Sequence, residues 1–437
     1  MGGRKMVRGR GPTFSRRSIH HWVSAVMAFV TMVFAGTLTV ATASDAAQGG
    51  KGTTITLYYT APLTGGANYD GIQGCDGEKL AAADINAKGG IPRGSLKGAK
   101  IAVQCIDDKD TSSIDSSIAA RYVSNPSVWA MGGFYSSGSA LAAAIVAERS
   151  GLAVIASNVA ADFLTTQVHN VYTMLARLQS AGGAAADFCK AYYGATNLAA
   201  LVPNYSYISS YMDGVTSAVK KDGLHLVSNQ TWPDGQTTSW NPYLSQLSAS
   251  ANCLLLGAYP PEQCEITAQA RQLGLSIPSI DLTDSFTSDS CASSAGQYYK
   301  GMIFGNLLPA KATPGGLLAK VSAEFQAKFH QQMSYYAGNG YDSVLAVEYA
   351  IMAGAKNRTQ LLKYLAKDSG PGVTGPISFV HQRIGRRYLS FLEATSSTGA
   401  LQPVAEYALA PNGSWKKIFV KSCKARPSCQ TNLGAAS

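Results

Sequence analysis

The 437-residue sequence has few charged side chains, and none of its first 44 residues is acidic. Charged residues make up 14% of the chain and hydrophobic ones 46%, which excludes an extended disordered protein. Only one long hydrophobic run is present, so a protein with several membrane spans is excluded. The net charge of +10 could suggest a nucleic-acid partner, but six of the 36 basic residues precede the first acid, Asp45. The rest of the chain is only mildly basic, so we expect no nucleic-acid partner.

The sequence also lacks the motifs of common enzymes and metal proteins. It has no Gly-x-Ser-x-Gly elbow, no Gly-x-x-x-x-Gly-Lys-Ser/Thr loop and no His-Glu-x-x-His pair. The signatures of α/β serine hydrolases, P-loop proteins and zinc proteases are therefore missing. Its six histidines do not show the spacing of metal ligands. We therefore predict no catalytic residue, no metal site and no cofactor.

The N-terminus has the three parts of a secretory signal. Residues 1–21 are basic and polar, Trp22–Ala41 is apolar, and Ala41-Thr42-Ala43 offers small residues for cleavage. We predict a signal peptide over 1–43 and a linker over 44–53. The alternative is an uncleaved anchor, because the apolar run approaches the roughly 20 residues that span a bilayer. No cysteine follows the run until Cys75, which argues against a lipid-anchored form.

The eight cysteines have to be interpreted in the light of this predicted export. No two of them form a Cys-x-x-Cys motif, so neither a zinc ribbon nor a thioredoxin-like site is indicated. An even number of cysteines in an exported protein is typical of disulfides. The sequence pattern alone leaves their pairing open.

Strand and helix patterns alternate in two successive arrays. The first array is predicted to run from a strand at 54–59 through helices at 70–87, 112–123 and 138–149 to a strand at 152–156, with Asp70 as the N-cap of its first helix. The second array restarts with a helix at 181–193. Further elements of the second half are predicted as strands at 198–202, 225–231, 253–257, 277–282, 301–307 and 415–420 and helices at 209–222, 241–249, 261–273, 316–334, 340–355 and 359–367.

This alternation predicts an α/β protein with two doubly wound lobes. Strands joined by helices with short connections form parallel sheets that are covered on both faces. The length also fits two domains of roughly 100–200 residues each. Ligands of such sheets bind at the carboxyl ends of the strands, so we expect a ligand between the lobes.

Small polar residues follow three strands of the first array. Thr64 follows the first strand, the run Tyr135-Ser136-Ser137 follows the third, and Asn158 follows the fourth. Hydroxyl groups and free N–H groups at a helix N-terminus can hold a carboxylate or another anion. The alternative is that these residues only cap helices, and for Ser137 both interpretations stay open.

Several motifs, taken in order, resemble the branched-chain amino acid (Leu/Ile/Val) binding proteins of ABC importers. The most specific is Ala83–Ile91 (ADINAKGGI). Weaker ones are Pro62–Gly65 (PLTG), Gly133–Ser137 (GFYSS), Gln269–Gly274 (QARQLG) and Thr374–Phe379 (TGPISF). The resemblance covers nearly all of residues 54–395.

The resemblance implies a type I periplasmic-binding fold, with two Rossmann-like lobes joined by a three-strand hinge. It also implies a binding protein that delivers its ligand to a membrane permease and catalyses nothing. The segments expected from it are lobe 1 at 54–175 and 309–382, lobe 2 at 176–308 and 383–422, and a C-terminal tail at 423–437.

The resemblance further implies which residues touch the ligand. Ser137, with Ser136 and Tyr135 beside it, matches the position that grips a carboxylate. The family's threonine in the next loop corresponds to Ala160, so the usual amino-acid grip is altered and Asn158 is a candidate substitute. From the second lobe, Asp284 matches an acid that pairs with the ligand ammonium, and Tyr207 a tyrosine that closes over the ligand. The alternative for Asp284 is that it belongs to an ordinary loop with helix-capping groups. Because of the change at Ala160, the ligand need not be Leu, Ile or Val.

With that fold, the resemblance also implies four disulfides that join neighbouring cysteines. The expected pairs are Cys75–Cys105, Cys189–Cys253, Cys264–Cys291 and Cys423–Cys429.

The expected function is therefore an exported, monomeric solute-binding protein of an ABC importer, periplasmic or at the cell surface. Its partners would be an amino acid or related small carboxylate or amide and the permease subunits. A ligand-sensing module for a membrane receptor is one alternative. A secreted α/β enzyme is another, but its best nucleophile, Ser137, has no histidine assigned to it.

Overall fold

The structure of the chain is a computed structural model. It describes residues 52–423, apart from 206, 234–236, 238, 259–261, 282–288, 368 and 398. The predicted signal peptide, Asp284 and Cys429 lie outside the described residues. No helix in the part that the structure describes is long and apolar enough to cross a membrane.

The described residues form two sheets and the helices that flank them. The strands are β1 (Thr54–Ala61), β2 (Lys100–Asp107), β3 (Val128–Gly133), β4 (Ala153–Ala156), β5 (Val171–Thr173), β6 (Asn197–Pro203), β7 (His225–Trp232), β8 (Cys253–Leu256), β9 (Ser279–Asp281), β10 (Ile303–Asn306), β11 (Ser369–Gly370), β12 (Ile377–Val380), β13 (Arg383–Ile384), β14 (Arg387–Ala394), β15 (Leu401–Leu409) and β16 (Trp415–Val420). The helices are α1 (Asn68–Ala87), α2 (Ser112–Tyr122), α3 (Ser137–Glu148), α4 (Leu164–Gln167), α5 (Leu178–Phe188), α6 (Ile208–Asp222), α7 (Asn241–Leu244), α8 (Glu262–Gln272), α9 (Asp289–Ala295), α10 (Leu317–Phe329), α11 (Tyr335–Met352) and α12 (Arg358–Leu365).

Each sheet has a parallel part and an antiparallel edge. The first has the order β11-β12-β13-β5-β4-β3-β1-β2, and the second β16-β15-β14-β10-β9-β8-β6-β7. The strands from β1 to β5 pair in parallel, as do those from β6 to β10, whereas β14, β15 and β16 pair antiparallel. The prediction of two doubly wound lobes is confirmed.

The chain passes between the sheets three times: after β5, after β10, and between β13 and β14. The third passage is short, because only Gly385 and Arg386 separate Ile384 from Arg387. Strand β13, which pairs with β5, thus belongs to the first sheet and lies just beyond the boundary expected after residue 382.

Buried charge fixes this third passage to the first lobe. Arg387 and Asp342 are both almost fully buried, and Arg387 Nη2 lies 3.9 Å from Asp342 Oδ2. The Arg387 Nη1 group donates to Pro376 O at 2.7 Å, and Asp342 accepts backbone N–H bonds from Val373 and Thr374. Removing one partner of such a buried pair would leave the other charge uncompensated.

The first lobe buries its central strands on both faces. All but the first residue of β1 are buried, as expected of a central strand in a covered parallel sheet. Helix α3 presents alanines at the helical spacing to its core. These buried alanines are Ala140, Ala143, Ala144 and Ala147.

Helices α1 and α11 pack unusually closely, because glycines lie where they cross. A Cβ atom on Gly77 would lie 2.0 Å from Ala337 O, and one on Gly340 would lie 2.3 Å from Gly74 O. The prediction that this helix begins at residue 340 is wrong. It begins at Tyr335, because the packing that the glycines allow overrides their low helix propensity.

Three of the four predicted disulfides lie wholly in the described part of the chain and are confirmed. Their Cα–Cα distances are 6.0 Å for Cys75–Cys105, 6.0 Å for Cys189–Cys253 and 5.3 Å for Cys264–Cys291. Cys423 is also disulfide-bonded, and its predicted partner Cys429 lies outside the described residues.

Candidate functional site

The loops that follow β1, β3 and β4 lie together at one edge of the first sheet. In the strand register Thr60 is opposite Gly133, and Gly133 is opposite Ala156. Because these strands are parallel, their carboxyl ends meet at the same edge. Thr64, the run Tyr135–Ser137 and Asn158 follow these ends, so the fold brings the predicted first-lobe residues to a common edge.

A tight turn positions the N-terminus of α3 at this edge. Gly133 has a φ of +88°, and a Cβ atom there would lie 2.3 Å from Thr60 O, so a side chain could not be accommodated. The next residue, Phe134, also has a positive φ of 66° and donates its N–H to Thr60 O at 2.6 Å. The chain then enters α3 directly.

The structure separates the roles of the two serines. Ser136 is the N-cap of α3, and its hydroxyl oxygen accepts from Ser139 N at 3.2 Å. Ser137 is the first residue of the helix and is 5% exposed. Its hydroxyl group, like the N–H groups of Ser137 and Gly138, has no hydrogen-bond partner among the described residues. Ser136 is therefore the capping residue, and three donor groups remain at the helix N-terminus: the Ser137 hydroxyl and the N–H groups of Ser137 and Gly138.

Asn158 is the second polar residue held at this edge. It is 7% exposed, and its Nδ2 donates to the Tyr59 hydroxyl at 3.3 Å. Its Oδ1 is buried without a hydrogen-bond partner in the described part of the chain. A Cβ atom at Gly74 of α1 would lie 1.9 Å from the Tyr59 hydroxyl and 3.2 Å from Asn158 Nδ2, so the glycine makes room for this hydrogen-bonded pair. A buried amide oxygen without a donor is costly unless a ligand or water supplies one.

Thr64 and Ala160 contribute to the walls of this edge in different ways. Thr64 is exposed, and its hydroxyl donates to Asp107 Oδ2 at 2.6 Å, which joins the loops after β1 and β2. Ala160 is buried and has no polar side-chain atom, and its carbonyl accepts from Arg383 Nη1 at 3.4 Å. Arg383 also lies 3.0 Å from Asp162 Oδ1, so the loop after β4 is fixed to β13.

The second lobe presents Tyr207 at the carboxyl end of its own strands. Tyr207 is partly buried at the start of α6, and its hydroxyl donates to Gly257 O at 2.7 Å, just after β8. Its ring centroid lies 5.7 Å from that of Tyr205. Asp284 lies outside the described residues, and the Cys264–Cys291 disulfide flanks its segment by joining α8 to α9. No group of three or more potential metal-binding side chains occurs among the residues that the structure describes.

Asp70 lies beside these candidate residues, a position that the sequence did not reveal. Its predicted N-cap role is wrong, because α1 begins two residues earlier, at Asn68, with Ala67 at the N-cap position. Asp70 is instead buried in the first turn, where burial raises the pKa of its carboxyl group to about 7 against hydrogen bonds from the Tyr135 and Tyr336 hydroxyls. The ring centroids of these tyrosines are 6.2 Å apart. An aspartate close to a helix start looks like a cap, so only the packing of α11 could reveal this contact.

Comparisons with known proteins agree with this geometry. The family model described as "Periplasmic binding protein" matches residues 54–396. An "Amino acid binding protein" of Pseudomonas aeruginosa is 26% identical over 253 residues, which cover 57% of this chain and 66% of that protein. The match thus spans just under two thirds of this relative's own length.

Solved structures show the same fold. The branched-chain amino acid transporter substrate binding protein LivJ of Streptococcus pneumoniae, in complex with isoleucine, aligns with a TM-score of 0.70 at 22% identity and covers 80% of this chain and 99% of its own. A solute binding protein of an ABC transporter from Rhodopseudomonas palustris, in complex with 3,4-dihydroxy benzoic acid, aligns with a TM-score of 0.69 at 21% identity over 82% and 98% of the two chains. These relatives and neighbours are solute-binding proteins and not enzymes. With a family match that spans most of its folded length and the two-lobed type I fold, the chain belongs to the periplasmic binding protein family.

Proposed function

We propose that this chain is the extracytoplasmic solute-binding protein of an ABC importer, and that it binds an amino acid or a related small carboxylate between its lobes. The observation that carries the proposal is the N-terminus of α3. There the Ser137 hydroxyl and two backbone N–H groups are without partners among the described residues. Three donors at a helix N-terminus suit a carboxylate.

The second lobe would close over the ligand. Tyr207 and Asp284 follow its strands, and hinge motion about the three passages would bring them towards Ser137 and Asn158. Support comes from the two structural neighbours, whose ligands are isoleucine and a dihydroxybenzoic acid. Both compounds have a carboxyl group but differ in the rest of the molecule, which fits a binding site that holds the carboxyl group of different ligands.

We further propose that the chain is exported, with cleavage near Ala43, and that it hands its ligand to permease subunits as a monomer. The three confirmed disulfides fit an oxidising compartment. The mass of the mature protein should correspond to a chain that begins close to Ser44. Loss of the gene should abolish uptake of the radiolabelled ligand by the host.

The binding proposal is tested with a thermal-shift screen over amino acids, aromatic acids, short amides and ureas, followed by calorimetry on each compound that stabilises the protein. A ligand that binds only the native state stabilises it by RT ln(1 + [L]/Kd), so the melting temperature rises with the logarithm of its concentration relative to Kd. Ser137→Ala removes one hydrogen bond to a charged group, so we expect the affinity for a carboxylate to fall about 10- to 100-fold.

Ser150→Ala is the matched control. Its hydroxyl donates to Ala147 O beyond the far end of α3, so its loss should leave ligand affinity unchanged. Equal affinity of the wild type and Ser137→Ala for a carboxylate would refute the proposal that Ser137 binds the carboxylate group. Turnover of any bound compound would overturn the binding-only role.

A further inference from the structure

The Asp70 carboxyl group lies at the edge of the first sheet where the loops after β1, β3 and β4 meet. It belongs to the first turn of α1, which follows the loop after β1. Of its two tyrosine partners, Tyr135 is two residues from Ser137 in the turn before α3, and Tyr336 is in the first turn of α11. Asp70 is therefore linked by one side chain to the proposed carboxylate grip.

Asp70 has no cationic partner among the residues that the structure describes. None of the ion pairs in the described part of the chain involves it. It is only 4% exposed, so water cannot replace a cation fully. A carboxylate has about four acceptor positions, and the two tyrosine hydroxyls fill two of them, so acceptor capacity is left over.

Asn158 offers a buried acceptor near the next turn of α1. The Tyr59 hydroxyl, which accepts from Asn158 Nδ2 at 3.3 Å, lies against Gly74 of α1. Gly74 follows Asp70 by four residues and so shares its face of the helix. The buried Asn158 Oδ1 has no partner among the described residues. Asp70 and Asn158 therefore both lie around the Tyr59 hydroxyl, Asp70 with acceptor capacity beyond its two tyrosine bonds and Asn158 Oδ1 with no partner among the described residues.

We propose that the ligand carries a protonated nitrogen that pairs with Asp70 and donates to Asn158 Oδ1, so that Asp70 selects cationic or zwitterionic solutes. This rests on the proposed function, because the ligand must first sit at the N-terminus of α3. A protonated amine supplies both the charge and the N–H donors that these oxygens lack. The same carboxyl group would disfavour a ligand with an apolar or anionic group at this position.

The proposal predicts a pH dependence of binding. The pKa of Asp70 is about 7 in the protein without ligand, and pairing with an ammonium requires the ionised form. The titratable groups that face Asp70 are the hydroxyls of Tyr135, Tyr336 and Tyr59. The buried carboxyl groups of Glu78 and Asp108 in turn lie near Tyr59. Ligand binding thus releases the Asp70 proton, and affinity for an ammonium should rise about tenfold between pH 6 and pH 8.

Calorimetry on matched compounds tests the proposal. The pairs are leucine and 4-methylpentanoate, 6-aminohexanoate and hexanoate, and 4-aminomethylbenzoate and 4-methylbenzoate; the first member of each pair has one ammonium group and the second has none. Asp70→Asn should weaken the ammonium-bearing member of each pair that the wild type binds by about 10- to 100-fold. It should leave the other member within about threefold and abolish the rise in affinity with pH.

Asp84→Asn is the matched control. Asp84 is also on α1 and accepts from a tyrosine of α11, Tyr341, at 2.8 Å, but it lies near the opposite end of the helix. Its replacement should leave both affinities and their pH dependence unchanged. Circular dichroism establishes that each variant is folded, and the pH dependence of the wild type requires no variant.

The outcomes separate the two proposals. If the wild type binds the carboxylates and Asp70→Asn weakens both members of a pair equally, or neither, the role of Asp70 is refuted while the proposed function stands. The same holds if affinity is flat between pH 6 and pH 8. If the wild type binds no compound that contains a carboxylate, the proposed function fails and the role of Asp70 fails with it.

Discussion

Glu78 should make the protein less stable as the pH rises. Its carboxyl group is 1% exposed within the first lobe, where Oε1 accepts from Ser343 Oγ at 2.9 Å and Oε2 has no partner among the described residues. Burial raises its pKa to about 8 against that hydrogen bond. In the unfolded chain the same group titrates near 4.5.

The size of the effect follows from this difference. Below about pH 4.5 the group is protonated in both states and contributes no pH dependence. Between that pH and about pH 8 the unfolded chain loses the proton and the folded protein keeps it, so each pH unit costs about 1.4 kcal/mol. Between pH 5 and pH 8 the wild type should therefore lose about 3 kcal/mol of unfolding free energy through Glu78 alone.

Glu78→Gln isolates this contribution, because glutamine has nearly the shape of protonated glutamate and does not titrate. Guanidinium unfolding followed by tryptophan fluorescence at pH 5, 6, 7 and 8 gives the free energies. Asp70 and Asp108, whose pKa values are also raised to about 7, add to the slope of both proteins and cancel in the comparison. Glu324→Gln, at a partly exposed carboxylate paired with Lys320, is the control. A difference between wild type and Glu78→Gln that stays constant with pH would refute the reasoning.

Two further predictions concern packing and the second lobe. Gly77→Ala should destabilise the protein by about 3 kcal/mol or more, because the new Cβ atom would lie 2.0 Å from Ala337 O. Denaturant unfolding measures the loss of stability, and an unchanged unfolding midpoint would refute the close packing of α1 and α11. Replacing Cys264 and Cys291 together by serine should lower the free energy of unfolding by about 2–4 kcal/mol in the same assay, since the disulfide joins α8 to α9. A decrease below about 0.5 kcal/mol would contradict a stabilising role of this disulfide.

The sequence was sufficient for the architecture because periodicity and resemblance agreed. Alternating strand and helix patterns predicted both parallel arrays, and the neighbourhood of Cys75 and Cys105 followed from the fold that the motifs implied. The sequence failed where contacts between distant segments decide the local structure. The segment Gly338–Gly340 is helical because glycines suit the crossing with α1, and this crossing is invisible in a local pattern.

The position of the candidate residues at one edge of the first sheet was predictable to a similar degree. The strand-end serines and Asn158 could be found because the carboxyl ends of parallel strands meet at one edge. The division of labour between Ser136 and Ser137 required coordinates, since either hydroxyl could have capped α3. Asp70 could not be identified as a site residue, because its partner Tyr336 is 266 positions away in the chain and no local motif joins them.

A crystal structure of the protein with its best-binding probe compound measures the central claim most directly. We predict that the ligand lies between the lobes, with a carboxylate oxygen within hydrogen-bond distance of Ser137 Oγ and the N–H groups that begin α3. Ligand density on an outer face, with Ser137 and Asn158 making no contact with it, would contradict the assignment of this edge as the binding site.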